Sequence, residues 1–212
     1  MTLRTIRILL VDDHAMVRNG IRLMLANDPD LQIAGEAETA QQAVALAQSQ
    51  SFDVALVDIS LPDRSGLDLL KQLVDTHPKM AVLIISMYSE EVYAVRALKH
   101  GGAGYLTKDS SAAAMVAAVR KAADGGKVIS AATAQKLAGM VGGTGQAAHE
   151  HLSDRELEVM KMIATGESLV DIAEKLHLSP STVTTYRTRI LEKMNMKNNA
   201  ELTRYVFGNS LL

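Results

Sequence analysis

Residues 8–14 read Ile8-Leu9-Leu10-Val11-Asp12-Asp13-His14, an apolar run that stops at two adjacent carboxylates. A strand with one wet face alternates polar and apolar residues. A run without alternation reads as a strand buried on both faces, as in a parallel sheet. This run begins at residue 6, and comparable segments follow at 32–37, 54–57, 82–85 and 103–106. Helical patterns separate them at 16–26, 40–50, 67–77, 91–100 and 112–123. Five strand–helix repeats predict an α/β fold over residues 1–126, a doubly wound five-stranded parallel sheet. Right-handed crossovers leave few strand orders open to it.

In such a sheet, ligands sit beyond the carboxyl ends of the strands, where strand order reverses. Asp12 and Asp13 follow the first strand, Asp58 closes the third, Ser86 ends the fourth and Lys108 follows the fifth. With strands one and three as neighbours, three carboxylates share a rim with a hydroxyl and an ammonium. Close carboxylates repel unless a hard cation joins them, and Mg²⁺ with its oxygen preference suits them. Taken singly, Asp12 or Asp13 is as readily a helix cap, Asp58 a turn residue and Lys108 a solvated lysine. Their joint placement on successive strand ends outweighs those readings. His14 reads as a surface helix residue rather than a phosphate donor.

Composition shifts after residue 126. Residues 127–150 hold one helix-like piece at 131–140, then Val141-Gly142-Gly143-Thr144-Gly145-Gln146. The glycine cluster neither follows a strand nor contains the lysine of a phosphate-binding loop, so the segment reads as a flexible linker. From Leu152 the pattern is all helical. Ser153-Asp154-Arg155-Glu156 has capping-box spacing. An apolar stripe of Leu157, Met160, Ile163 and Ala164 then runs to a stop at Gly166. Residues 168–176 form a second helix, Ser179-Pro180 opens a third reaching about residue 194, and 200–207 form a fourth. Met160, Met162, Met194 and Met196 read as core filler.

On the third of these helices Val183, Ile190 and Met194 share one apolar face. Ser181, Thr184, Thr185 and Thr188 lie opposite, flanked by Arg189 and Lys193. Taken alone, this face reads more readily as a solvated amphipathic helix; against DNA, its short hydroxyls can approach base edges in a major groove and its threonine methyls can meet thymine methyls. The cations would hold phosphates. Arg187 falls near the apolar stripe, where a phosphate contact and a snorkelling flank are both open. Tyr186 is open between core and backbone contact. The chain carries a net charge of −2, and residues 151–212 hold 8 basic and 8 acidic residues. DNA binding must then rest on a local basic face, not on domain charge. The absence of cysteine, of a signal-peptide pattern and of any apolar run near the roughly 18 residues of a membrane span predicts a cytoplasmic protein with no membrane partner.

Residues 5–124 resemble the receiver domain of response regulators. The likeness rests on residues 8–14, on Val57-Asp58-Ile59-Ser60-Leu61-Pro62-Asp63-Arg64-Ser65-Gly66, on Ile84-Ile85-Ser86-Met87-Tyr88 and on Gly102-Ala103-Gly104-Tyr105-Leu106-Thr107-Lys108-Asp109. It implies the flavodoxin-like strand order, with Asp58 accepting a phosphoryl group from a phosphohistidine on a sensor histidine kinase. It further implies Mg²⁺ held by Asp13, Asp58 and the Ser60 backbone carbonyl, with Asp12 supporting that shell. Lys108 and Ser86 would contact the phosphoryl oxygens, and Tyr105 would change rotamer on activation.

Residues 152–207 resemble the LuxR-type helix-turn-helix of the NarL/FixJ family of response regulators. The matching segments begin at Leu152-Ser153-Asp154-Arg155-Glu156, Ile172-Ala173-Glu174-Lys175, Leu178-Ser179-Pro180-Ser181-Thr182-Val183 and Ile190-Leu191-Glu192-Lys193-Met194. The resemblance implies a DNA-binding domain over 151–212, with Ser181, Thr182, Thr184, Thr185, Thr188, Arg187, Arg189 and Lys193 toward double-stranded DNA. It also implies a homodimer on activation, through residues 200–207. Leu169-Val170 and Thr184 stand where many members carry cationic phosphate contacts, so monomeric binding should be weak. The expected function is a phosphorylation-switched transcription factor rather than an enzyme. A constitutive DNA-binding regulator is the alternative. A Mg²⁺-dependent phosphohydrolase would want an acid two residues beyond Asp13, which this chain lacks.

Overall fold

The computed structural model describes residues 4–88, 90–141, 147–209 and 211–212, with the backbone alone at 91, 92, 136 and 139–141. The glycine cluster at 142–146 lies outside the described residues. The chain divides into two compact units, residues 1–136 and 137–212.

The first unit alternates β1 (Ile6–Val11), α1 (Ala15–Leu25), β2 (Leu31–Ala37), α2 (Ala40–Ser49), β3 (Val54–Asp58), α3 (Gly66–Thr76), β4 (Ala81–Ser86), α4 (Glu90–Lys99), β5 (Gly104–Thr107) and α5 (Ala112–Ala123). All strand pairs are parallel, in the order β2-β1-β3-β4-β5. The unalternating runs behave as their composition requires: every residue of β3 is buried, and β4 is buried from Val82 onward. β2, at the edge, is only partly covered. Ile8, Leu10, Leu56, Leu83 and Ile85 pack with Met115 and Val119 of α5. Each such side chain stabilises the fold by about 1.5–3 kcal/mol through removal of apolar surface from water.

The order places β1 beside β3, with β2 on one side and β4 on the other. Sequence order therefore reverses at the β1/β3 junction, and a crevice opens beyond their carboxyl ends. Gly66 at the start of α3 explains the tight turn after β3. A Cβ there would fall 1.9 Å from the Asp58 carbonyl oxygen, so any side chain would push the loop off the strand end.

After α5 the chain runs along β5. Val128 forms a parallel bridge with Gly104, and α6 (Ala131–Val141) follows.

In the second unit a 3₁₀ turn (Ala148–His151) precedes α7 (Asp154–Ala164), α8 (Leu169–Lys175), α9 (Pro180–Lys193) and α10 (Asn199–Gly208). Ser153 and Glu156 form the predicted capping box, and Ser168 with Asp171 forms another at α8. Gly166 ends α7 at φ +88°, a left-handed conformation that favours glycine. His177 takes a similar conformation (φ 51°) between α8 and α9. Leu157, Met160, Ile172, Val183, Ile190 and Leu202 make the core. Met160 and Met194 are buried, whereas Met162 and Met196 are only half-buried. Among the described residues no helix is long and apolar enough to cross a membrane.

Candidate functional site

The strand ends deliver their polar residues into one pocket. Asp12 and Asp58 are buried at the tips of β1 and β3, and Lys108 reaches over from beyond β5. Its Nζ lies 2.7 Å from Asp12 Oδ2 and 2.9 Å from Asp58 Oδ2. Asp13 stands at the open rim. Asp12, Asp13, His14 and Asp58 can each turn one ligand atom inward, and those atoms all lie within 4.8 Å of one another. Three carboxylates at this spacing fit a hard divalent cation such as Mg²⁺.

Burial pushes Asp58 up to about 6, although Lys108 pulls in the opposite direction. Burial pulls Lys108 down, but the Asp58 and Asp12 carboxylates win and hold it above the usual lysine value. Asp58 is thus a desolvated, comparatively basic carboxylate, while its cationic neighbour stays charged. A carboxylate so placed is a workable nucleophile toward a phosphoryl group once positive charge offsets the approach of the anion.

Ser86 is buried at the end of β4, with its Oγ accepting from the Tyr88 N–H at 3.2 Å. Tyr105 is buried beside it on β5, and its hydroxyl donates to the Tyr88 carbonyl at 2.6 Å. Burial is the first cause of a raised Tyr105 phenol, so this hydroxyl acts as a donor at any ordinary pH. Ser60 is half-buried in the loop after β3, where it bridges to Ser65. An apolar groove of about 290 Å³ opens beside Lys108, lined by Val17, Ile21, Met24, Met87 and Met115.

Three supporting residues escaped the sequence reading. Asp63 accepts from the Ala40 and Gln41 N–H groups, both at 2.9 Å, and so ties the loop after β3 to the start of α2. Arg18 donates to the Asp12 carbonyl at 2.7 Å while pairing with Glu36 and Glu38. Glu90 accepts from Ser130 N–H at 3.1 Å and from the Thr133 hydroxyl at 2.7 Å, joining α4 to the start of α6. The sole advance signal was polarity, in a loop for Asp63 and on helices for Arg18 and Glu90, which does not name a partner.

On α9, Ser181, Thr184, Thr185, Thr188 and Arg189 share an exposed surface, opposite buried Val183 and Ile190. The hydroxyls of Thr184, Thr185 and Thr188 donate to the carbonyls four residues back, at 2.9, 3.0 and 3.1 Å. Their methyls and oxygen lone pairs are thereby left outward. Thr182 is half-buried and folds back on the Ser179 cap, with 2.7 Å between hydroxyl oxygens. Two expected cations are engaged by residues of their own domain. Arg187 Nε donates to Asn199 Oδ1 at 2.7 Å, and Lys193 Nζ lies 2.7 Å from Glu156 Oε2. Tyr186 is half-buried.

Residues 8–120 match the family model described as response regulator receiver domain, and residues 150–206 match bacterial regulatory proteins, luxR family. Response regulator GacA of Pseudomonas viridiflava is 37% identical over 93% of both chains. Response regulator UvrY of Escherichia coli strain K12 is 32% identical over 97% of this chain and 95% of its own. RcsB from Salmonella enterica serovar Typhimurium, solved bound to a promoter with the phosphomimetic BeF₃⁻, shares the fold at a TM-score of 0.68. It is 22% identical and covers 96% of this chain and 98% of its own.

Proposed function

This chain is a DNA-binding two-component response regulator of the NarL/FixJ family, and we propose that phosphorylation of Asp58 governs how tightly its α9 helix engages DNA. The observation that carries the proposal is the convergence of buried Asp58 and Asp12 on Lys108, at 2.9 and 2.7 Å from its ammonium.

An Asp58 carboxylate oxygen attacks the phosphorus of a phosphohistidine on a sensor histidine kinase. The new O–P bond forms as the P–N bond breaks, and the leaving imidazole keeps the electron pair and takes up a proton. The step needs positioning and charge neutralisation above all. Asp63 and Gly66 position the loop after β3. Lys108 stays protonated and pairs with the incoming phosphoryl oxygens, and the Ser86 hydroxyl donates to another. A bound Mg²⁺, held by Asp13, Asp58 and the Ser60 carbonyl with Asp12 in support, supplies further positive charge.

Phosphorylation draws Ser86 toward Asp58 and alters the packing of Tyr105, whose hydroxyl holds the Tyr88 carbonyl just ahead of α4. A local charge change thus biases a packed element with two arrangements. The phosphorylated chain dimerises in the cytoplasm through α10 and binds paired half-sites, as two copies of one domain would. The connection between the receiver and the DNA-binding domain runs through residues 127–150, whose first part packs on the receiver through Val128, Ser130 and Thr133.

The test is phosphorylation by a small phosphodonor with Mg²⁺, followed by sizing and binding to a genomic DNA pool, for wild type and Asp58→Ala. The proposal expects phosphate uptake, dimers and tighter DNA binding in the wild type only. DNA binding unchanged by phosphate would support the constitutive alternative.

A further inference from the structure

We propose that His14 is a nitrogen ligand to the cation of the acidic pocket, so that the site takes a first-row transition ion such as Mn²⁺ in preference to Mg²⁺. The inference rests on reading that pocket as a divalent-cation site.

The backbone aims the ring. His14 sits one residue ahead of α1 in an extended conformation (φ −89°, ψ 107°), and its side chain makes no capping bond to the helix. Its N–H donates to Asp12 Oδ1 at 2.8 Å, while Arg18 holds the Asp12 carbonyl. This anchoring swings the imidazole over the carboxylates and not out along the helix. Nδ1 lies 2.7 Å from Asp13 Oδ1 and 3.3 Å from Asp12 Oδ1. An exposed imidazole–carboxylate pair contributes little stability in itself, so the placement is not explained by that pair alone.

The spacing fits one ion. Opposite ligands of an octahedral cation with bonds of about 2.1 Å lie about 4.2 Å apart. One donor atom each from Asp13, His14 and Asp58, and one from the supporting Asp12, fall within 4.8 Å of one another, so closing on an ion takes only small side-chain movement. Charge also balances. Three carboxylates against Lys108 and a divalent ion sum to zero, and a neutral imidazole adds a donor without disturbing that sum.

Donor chemistry then selects the ion. Mg²⁺ favours oxygen and keeps its waters, whereas imidazole raises the affinity for transition ions. An all-oxygen pocket would lack this discrimination, and His14 introduces it from the solvent side, where its ring is exposed.

The experiment titrates the full chain with Mn²⁺, reading the free-ion electron paramagnetic resonance signal, and obtains Mg²⁺ affinity by competition. Wild type is compared with His14→Ala. Pulsed resonance on the bound Mn²⁺ reports any coupled nitrogen. The proposal expects nitrogen coupling in the wild type, lost in His14→Ala. It also expects a roughly tenfold fall in Mn²⁺ affinity and Mg²⁺ affinity unchanged within about twofold. Mn²⁺ binding without nitrogen coupling, or with equal affinity in the variant, overturns the proposal and leaves the carboxylate site standing. Loss of both ions in the variant assigns His14 to shaping the loop and overturns its role as a ligand. Failure of either ion to bind the wild type overturns the pocket reading as well.

Discussion

The Tyr105 hydroxyl donates to the Tyr88 backbone carbonyl at 2.6 Å, tying the buried ring of β5 to the loop that leads into α4. This bond holds the loop that begins at Ser86, the residue proposed to follow the phosphoryl group. Tyr105→Phe keeps the ring and removes the bond. The expected cost is about 1 kcal/mol of stability. Phosphate uptake should match wild type, while the gain in DNA affinity on phosphorylation falls severalfold. An unchanged gain would show that the switch does not pass through this bond.

Lys108 faces two buried carboxylates, so its loss leaves like charges uncompensated. Lys108→Ala should slow phosphate uptake by at least about tenfold and destabilise the ion-free chain by about 2–4 kcal/mol. Lys108→Arg restores charge with a different shape and should recover stability better than uptake. Uptake at the wild-type rate in Lys108→Ala would remove Lys108 from the phosphoryl site.

Asp58 is raised from an ordinary value near 3.8 to about 6, with burial the dominant cause. A raised folded-state value means the folded form binds its proton more tightly than the unfolded form. That contribution to stability is complete below pH about 4 and is lost as pH rises through about 6. Asp58→Asn carries no such proton. In denaturant unfolding without divalent ions, its stability advantage over wild type should grow from pH 5 to 7.5, by roughly 1–2 kcal/mol. An advantage independent of pH would contradict the environment assigned to Asp58.

The two basic side chains at the end of α9 should separate in a salt titration. Arg189 is exposed, and Arg189→Ala should weaken binding to all sequences and lower the salt slope by about 1. Lys193 is held by Glu156, whose carboxyl it keeps below the usual range against the upward push of burial. Lys193→Ala should cost about 1 kcal/mol of domain stability and change the salt slope little. A full unit of slope lost in Lys193→Ala would mean that the pair opens on DNA.

Lys193 also shows where sequence reasoning stops. β1, β3 and β4 were legible because buried parallel strands have a distinctive unalternating composition, whereas the partly covered edge strand β2 and the four-residue β5 gave weaker signals; Asp12, Asp58 and Lys108 followed because each closes a strand. The capping box at Ser153 and the stop at Gly166 are local grammar. The Lys193–Glu156 pair joins residues 37 positions apart, and Asp63 reaches back 23 positions to Ala40 of α2. Arg187 turns to Asn199, which no periodicity marks. The phase of α9 placed these cations near the side proposed to face DNA, yet tertiary partners decide which are free for phosphates. His14 is exposed as expected, but it precedes α1 in an extended conformation and does not lie on the helix; its Nδ1 position follows from the backbone bond to Asp12, a bond the helix pattern does not specify.

The most direct test of the account is the position of the phosphoryl group. The full chain is incubated with a small phosphodonor and Mg²⁺, the acyl phosphate is reduced with borohydride, and peptides are sequenced by mass spectrometry. The account predicts reductive conversion at Asp58 alone, absent in Asp58→Asn. Conversion at Asp12, Asp13 or Asp63 in the wild type, or none at all, would contradict it.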